Sequence, residues 1–226
     1  MYDIVLKQGM VVTSEQVMVC DIAIKDGLIA EIAPFIESDG IPLIELKGKY
    51  VLPGAIDAHV HFNEPGNVEW EGIETGSRML AAGGATMYFD MPLNSNPPTI
   101  DVASLKLKEQ LSEEKSIIDY RFWGGLVPEN IRELEGLAEQ GVIGFKAFIS
   151  NSGFEPFQSV DNHSLLLGMK EIRRLGKILA LHAESDEITS FLQQQMLQEG
   201  KVKPKDYSAS RPIVAEVEAV QRALYY

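Results

Sequence analysis

The sequence has few basic residues and a single cysteine, and both scarcities narrow the range of functions. Its 226 residues contain 20 Lys and Arg against 33 Asp and Glu, so the formal net charge is −13. A chain this acidic repels phosphate backbones and anionic membrane surfaces, which argues against nucleic-acid or membrane binding. Cys20 alone allows no intrachain disulfide and gives no sign of an oxidising compartment. We interpret it as a small buried hydrophobe.

Long apolar runs are also absent. No segment approaches the roughly 20 apolar residues of a membrane span, and the first residues, MYDIV, lack the basic and apolar regions of a secretion signal. We therefore expect a cytoplasmic location. Hydrophobic residues make up 45% of the chain, which is enough to bury a core and excludes global disorder.

The sequence divides into two parts with different patterns. Residues 1 to about 50 contain short apolar runs of alternating polarity, and Asp26-Gly27 separates two of them where a tight turn needs positive φ. This part is a predicted small β-unit. From residue 51 to 226, apolar strands alternate with amphipathic helical stretches, a pattern typical of parallel βα units.

We predict five strands in the second part. They are Ala55–Phe62, Ala85–Met91, Ile118–Val127, Val142–Ile149 and Ile178–Ala183. The helices predicted between them are Trp70–Ala82, Val102–Glu114, Ile131–Glu139 and Ser164–Leu175, and a last helical region begins near Glu187 with breaks around Pro204 and Pro212. Periodicity alone fits either an open doubly wound sheet or part of a (β/α)8 barrel. No Gly-x-Gly-x-x-Gly motif follows the first strand, which removes the main support for a nucleotide-binding sheet.

Two of the four histidines, His59 and His61, lie two residues apart at the end of the first strand of this second part. Residues at i and i+2 on a strand point to the same face. Two structural histidines here would require two buried polar partners at one place. We therefore favour a metal site.

Lys146 lies in the apolar run VIGFKAFI. An unpaired buried ammonium is costly, so such a lysine must be neutralised, paired or chemically modified. A desolvated lysine becomes a nucleophilic amine, and uptake of carbon dioxide would turn it into a carbamate with two metal-binding oxygens. The alternative is a lysine that reaches solvent from the strand end, and the residue alone leaves both open.

The fifth strand ends in His182. With this residue, every candidate ligand lies at the carboxyl end of a βα-unit strand, where barrel enzymes place their active sites. This placement favours the barrel over the open sheet. His163 instead begins a helical stretch, and we interpret it as a surface or capping residue.

The chain resembles the cyclic amidohydrolases, which include dihydroorotases, hydantoinases or dihydropyrimidinases, and allantoinases. The resemblance is carried by Gly54-x-x-Asp57-x-His59-x-His61, Lys146 and His182. It implies an α/β fold, a partial (β/α)8 TIM-like barrel at 51–226 preceded by part of a small β-sandwich domain at 1–50. It also implies two divalent metal ions, one on His59 and His61 and one on His182, bridged by carboxylated Lys146. Zinc is favoured, although iron, cobalt, manganese and nickel also suit these ligands.

The segment after the first strand predicts the substrate. Dihydroorotases usually carry an arginine that clamps the substrate carboxylate where this chain has Asn63, and asparagine cannot supply that charged fork. The resemblance is strongest to allantoinases in Glu69-Trp70-Glu71-Gly72, Met91-Pro92-Leu93-Asn94-Ser95 and Ser210-Arg211-Pro212. We therefore expect metal-dependent hydrolysis of a small cyclic ureide, allantoin to allantoate, with Asn63 and Asn94 as candidate substrate contacts.

Two other interpretations are open: a hydantoinase or dihydropyrimidinase of broader specificity, and a non-catalytic scaffold that keeps the barrel without the metal. A closed barrel needs eight strands, and five precede Tyr226. The resemblance places a further metal-binding histidine and the general acid/base aspartate beyond Tyr226, so these residues alone are expected to be an inactive fragment without the catalytic residue. The full-length enzyme is expected to form a homo-oligomer, a tetramer.

Overall fold

The computed structural model describes residues 1–226, which form two compact units, Met1–Gly54 and Ala55–Tyr226. The strands of the first unit are β1 (Ile4–Val12), β2 (Val17–Lys25), β3 (Leu28–Ala33), β4 (Leu43–Glu45) and β5 (Tyr50–Val51). They form one mixed sheet in the order β3-β2-β1-β4, in which β5 also pairs with β1. Neighbours among β1, β2 and β3 are antiparallel, whereas β4 and β5 run parallel to β1.

Local turn chemistry explains how this sheet is connected. Asp26 and Gly27 join β2 to β3 with φ of 53° and 73°, the positive values that a two-residue hairpin turn requires. The apolar runs at residues 4–5 and 10–12 belong to a single strand rather than two, because a register shift between Leu6 and Gly9 interrupts the alternation of polarity. Cys20 is 2% exposed, which confirms its interpretation as a buried hydrophobe.

The second unit alternates parallel strands with helices. Its strands are β6 (Ala55–Val60), β7 (Ala85–Asp90), β8 (Asp119–Phe122), β9 (Gly124–Gly125), β10 (Gly144–Phe148) and β11 (Ile178–His182). Its helices are α1 (Ile73–Ala82), α2 (Val102–Lys115), α3 (Leu134–Glu139), α4 (Asn162–Arg174), α5 (Asp186–Gln198), α6 (Pro204–Ala209) and α7 (Ile213–Tyr225). No helix is both long enough and apolar enough to cross a bilayer.

The third strand predicted from the sequence is divided at Trp123. Its first half, β8, pairs with β7, and its second half, β9, pairs with β10, so the sheets are β6-β7-β8 and β9-β10-β11. Backbone hydrogen bonds bridge the break, because Trp123 N donates to Asp90 O at 3.0 Å and Ile143 N donates to Phe122 O at 3.0 Å. Spatial order therefore follows chain order, as in successive βα units of a (β/α)8 barrel.

Helix boundaries follow their capping groups. Helix α1 begins at Ile73 rather than at Trp70, because Gly72 is extended and the Glu64 carboxylate accepts a hydrogen bond from Ile73 N at 3.0 Å. Asp101 and Ser104 form a capping box at the start of α2. His163 is exposed in the first turn of α4, as predicted for a surface residue.

The largest apolar core lies between the central strands and the helices that cover them. Its largest buried side chains are Leu105, Leu126, Leu134, Leu137, Phe145, Leu165 and Ile172. Phe145 precedes Lys146 and points into this core, so the lysine side chain lies on the opposite face of β10. Packing of Phe145 in the core thus fixes the orientation of β10, the strand that carries buried Lys146.

Candidate metal centre

The candidate ligands lie on or directly after three parallel strands, with the histidines at the carboxyl ends and Lys146 at the centre of its strand. His59 lies on β6, His61 follows that strand, Lys146 lies on β10, and His182 is the last residue of β11. Parallel strands with covering helices end at one edge of the sheet, which gathers these side chains on one side. Lys146 Nζ and the His182 ring both lie against the Phe148 ring, so β10 and β11 present their polar groups to a common region.

The two histidines of the first strand converge on one point. His59 Nε2 and His61 Nε2 are 3.3 Å apart, and the rings are tilted by 47°. Two nitrogens held at about 2.0–2.1 Å by one tetrahedral zinc ion are roughly 3.3 Å from each other. The separation in this structure therefore fits a pair of ligands to one ion.

Both rings favour the uncharged form that a metal ligand needs. Burial is the main reason that the pKa of His59 is lowered. Burial is also the main reason that the pKa of His61 is lowered. His61 Nδ1 is buried without a hydrogen-bond partner.

Lys146 is 6% exposed, and no carboxylate forms a salt bridge with it. Burial lowers the pKa of its amine, and no compensating negative charge opposes that effect. The closest aromatic contact is Phe148, whose ring centroid lies 5.2 Å from Lys146 Nζ. The side chain does not reach solvent from the strand end, so the alternative of a solvent-exposed lysine is wrong.

The imidazole ring of His182 contacts Phe148 through its face and Glu184 through Nε2. Its ring stacks on Phe148 with centroids 4.6 Å apart and planes within 5°. His182 Nε2 lies 2.8 Å from Glu184 Oε2. Because residues 182 and 184 are two apart in an extended segment, both side chains point the same way. Phe148 thus contacts both Lys146 and His182.

The backbone around the histidine pair is anchored by two side chains, one from the end of β7 and one from the break between β8 and β9. Trp123 Nε1 donates to Ala58 O at 3.0 Å, one residue before His59. Asp90 Oδ1 accepts from Phe62 N at 3.1 Å, one residue after His61. Asp90 in turn pairs with buried Lys108 at 2.9 Å. The pair of imidazoles is therefore held from both sides.

The predicted substrate contacts, Asn63 and Asn94, lie on two loops that are joined by a third asparagine. Both have positive φ, 50° and 72° respectively. Asn67 N donates to Asn63 O at 2.9 Å, and Asn67 Nδ2 donates to Asn94 O at 2.7 Å. The loops after β6 and β7 therefore form one connected rim beside His61.

The donor set fits a metal only if the lysine is modified. No group of three or more His, Cys, Asp or Glu side chains lies close enough together to hold an ion. Lys146 is buried with a lowered pKa, and an amine without charge is the form that reacts with carbon dioxide. The residues present therefore fit a centre in which a lysine carbamate supplies the missing oxygens.

Sequence reasoning did not assign roles to Phe148, Glu184, Asp90 or Lys108. The His-x-Glu spacing of His182 and Glu184 is a signal that could have revealed that pair, because alternate residues share a face. The Asp90–Lys108 pair joins residues 18 positions apart, and no local pattern indicates it.

The chain belongs to the amidohydrolase family, whose model matches residues 50–206. Among solved structures, it is similar to the L-hydantoinase (dihydropyrimidinase) from Arthrobacter aurescens, with a TM-score of 0.92 and 31% sequence identity. That match covers 100% of this chain and 50% of the hydantoinase chain. The predicted partial barrel is therefore confirmed.

Curated allantoinases are among its sequence relatives. The chain is 52% identical over 225 residues to the allantoinase of Bacillus velezensis and 51% identical over 224 residues to that of Solibacter usitatus. These alignments cover 100% and 99% of this chain but 50% and 49% of the relatives. The chain thus spans about half the length of the curated relatives that it matches.

Proposed function

We propose that this protein hydrolyses a cyclic amide with two divalent metal ions, and that its substrate is allantoin, which it opens to allantoate. The observation that carries the proposal is the convergence of His59 and His61 near a buried lysine that no carboxylate neutralises. The identity to allantoinases over the whole length of the chain supports the choice of substrate.

Lys146 would become a ligand by reaction with carbon dioxide. Its amine nitrogen forms a bond to the carbon of CO2 and releases one proton, and the product is a carbamate with one negative charge shared by two oxygens. Burial favours this reaction because it lowers the pKa of the amine and so increases its unprotonated fraction. His59 and His61 would hold one ion, His182 the other, and the carbamate would bridge them.

Divalent cations in such a centre activate water and polarise the scissile carbonyl. The chain itself supplies neutral imidazoles, an anionic bridge and a rim that contacts substrate. Asn63 and Asn94 would donate or accept hydrogen bonds with the polar edge of a neutral ureide. Neither asparagine offers the charge that a substrate carboxylate would require. Zinc is the proposed metal.

The test is a steady-state comparison of kcat/KM for allantoin and dihydroorotate with the full-length enzyme. We expect a strong preference for allantoin, because Asn63 cannot form a bidentate charged contact with the carboxylate of dihydroorotate. Equal values, or a preference for dihydroorotate, would contradict the proposed substrate. Asn63→Asp is a useful companion variant, since it should weaken dihydroorotate further by charge repulsion.

A broad hydantoinase is the second candidate, because the fold matches a hydantoinase with a TM-score of 0.92. Assays with plain hydantoin and dihydrouracil beside allantoin separate the two enzymes. A non-catalytic scaffold would retain the fold without bound metal, so metal analysis of the purified protein decides that alternative. A cytoplasmic location and a tetrameric assembly stay predictions from the sequence.

A further inference from the structure

The Ser210-Arg211-Pro212 motif has no role in the proposed metal centre, yet the structure connects it to His182. Ser210 is fully buried at the end of α6, and Pro212 precedes the first residue of α7. Between them, Arg211 Nη1 lies 3.6 Å from Glu184 Oε2. This is the same carboxylate oxygen that lies 2.8 Å from His182 Nε2.

The guanidinium is itself held in place. Its central carbon lies 4.5 Å from the centroid of the Tyr207 ring, a cation–π arrangement. The backbone is fixed as well, because Ser185 N donates to Ala215 O at 2.9 Å and ties the segment after Glu184 to the start of α7. The Tyr207 contact and the Ser185–Ala215 hydrogen bond therefore restrain the approach of Arg211 to Glu184.

We propose that Arg211 is a positioning residue that acts through Glu184 on the imidazole of His182. This inference rests on the proposed function, in which His182 is a metal ligand. Pairing with arginine orients the Glu184 carboxylate so that it accepts a hydrogen bond from His182 Nε2–H. The proton on Nε2 leaves the lone pair of Nδ1 available for a metal ion. Stacking on Phe148 fixes the plane of the same ring.

The first experiment measures metal affinity. Zn2+ is titrated into the metal-free full-length enzyme, as wild type and as Arg211→Gln, against a competing chelator. We expect one of the two sites to weaken by about 10–100-fold, the usual cost of losing an outer partner of a ligand, and the other site to keep its affinity. Arg211→Lys retains the charge and should recover part of the loss.

Arg222→Gln is the matched control. Arg222 also pairs with a glutamate, Glu218, and its side chain is 24% exposed against 23% for Arg211. It does not contact Glu184 or His182. Equal zinc affinities in Arg211→Gln and Arg222→Gln would overturn the inference.

The second experiment reads the tautomer of His182 in the metal-free protein from its long-range 1H–15N NMR spectrum. We expect Nε2–H in the wild type and a mixture of tautomers in Glu184→Gln or Arg211→Gln, a change that loss of fold stability alone would not cause. A wild type with Nδ1–H at His182 would overturn the inference, even if Arg211→Gln failed to fold. A wild type that bound no zinc would instead reject the proposed function, while the tautomer would still test the contact.

Discussion

Two buried lysines of the barrel unit, Lys146 and Lys108, have opposite surroundings. Lys108 is 1% exposed, donates to Asp90 Oδ2 at 2.9 Å and to Met91 O at 3.1 Å, and so is a satisfied cation. Lys146 is 6% exposed and has no carboxylate partner. The two side chains share a residue type and a degree of burial, and only their partners differ.

The difference in partners distinguishes a lysine with a structural role from one that can react as a nucleophile. A buried ammonium with a carboxylate and a carbonyl partner keeps its charge and holds elements together. A buried amine without an anion keeps its charge only at a high desolvation cost, so it exists more easily as a neutral nucleophile. Burial alone is therefore a poor indicator of function, and the absence of a counterion is the informative feature.

The largest effect is expected for Lys146→Ala, which removes the proposed bridge. In the full-length enzyme, turnover of allantoin should fall by about 10²–10³-fold or more, comparable to losing a key electrostatic stabiliser of a transition state. Bound metal should fall below two ions per chain. Assays of kcat and metal content check both outcomes, and added acetate or propionate should restore part of each by supplying carboxylate oxygens to the vacated space.

Lys146→Met tests whether the amine of Lys146 contributes to stability, as that of Lys108 does. It fills a similar volume without an amine, so the free energy of unfolding of the metal-free protein should stay the same or rise. A large destabilisation by this variant would mean that the amine forms a structural interaction, which would remove the contrast with Lys108.

Lys108→Met should have the opposite outcome. It leaves Asp90 buried without its cation and should destabilise the protein by about 3–5 kcal/mol, measured by denaturant unfolding. Because Asp90 also accepts from Phe62 N, metal affinity at His59 and His61 should fall too.

The double variant Lys108→Met with Asp90→Asn is the control for the Lys108 prediction. Asparagine retains an acceptor for Phe62 N and carries no charge, so much of the lost stability should return. If the single and double variants were equally unstable, the loss would come from packing rather than from an uncompensated charge.

The smallest effect is expected at the paired Lys7 and Asp21 of the first unit, 2.6 Å apart. Burial alone would raise the pKa of Asp21, but hydrogen bonds from Lys7, Gln8 N and Ile36 N outweigh it and hold the pKa below 3.8. The stability from this ionised group is fully present above the unfolded value and is lost as the pH falls through the folded one. Acid titration of unfolding free energy should therefore be flatter in Asp21→Asn than in the wild type.

Much of the fold could be predicted because its signals are local. The strand that carries Lys146 is an uninterrupted apolar run, and α2 and α4 begin at aspartate caps that the sequence displays. The break at Trp123 could not be predicted, because the two halves of that strand differ only in which neighbour they pair with.

The candidate site divides in the same way. The spacing of His59 and His61 determines that both rings share a face, since a strand has a period of two. Lys108 instead lies in a helix rich in Lys and Glu, and its sequence resembles that of any solvated face. Only the tertiary structure decides that Lys108 pairs with Asp90 while Lys146 has no anionic partner. The counterion of a buried lysine comes from a distant segment of the chain, so local periodicity cannot predict it.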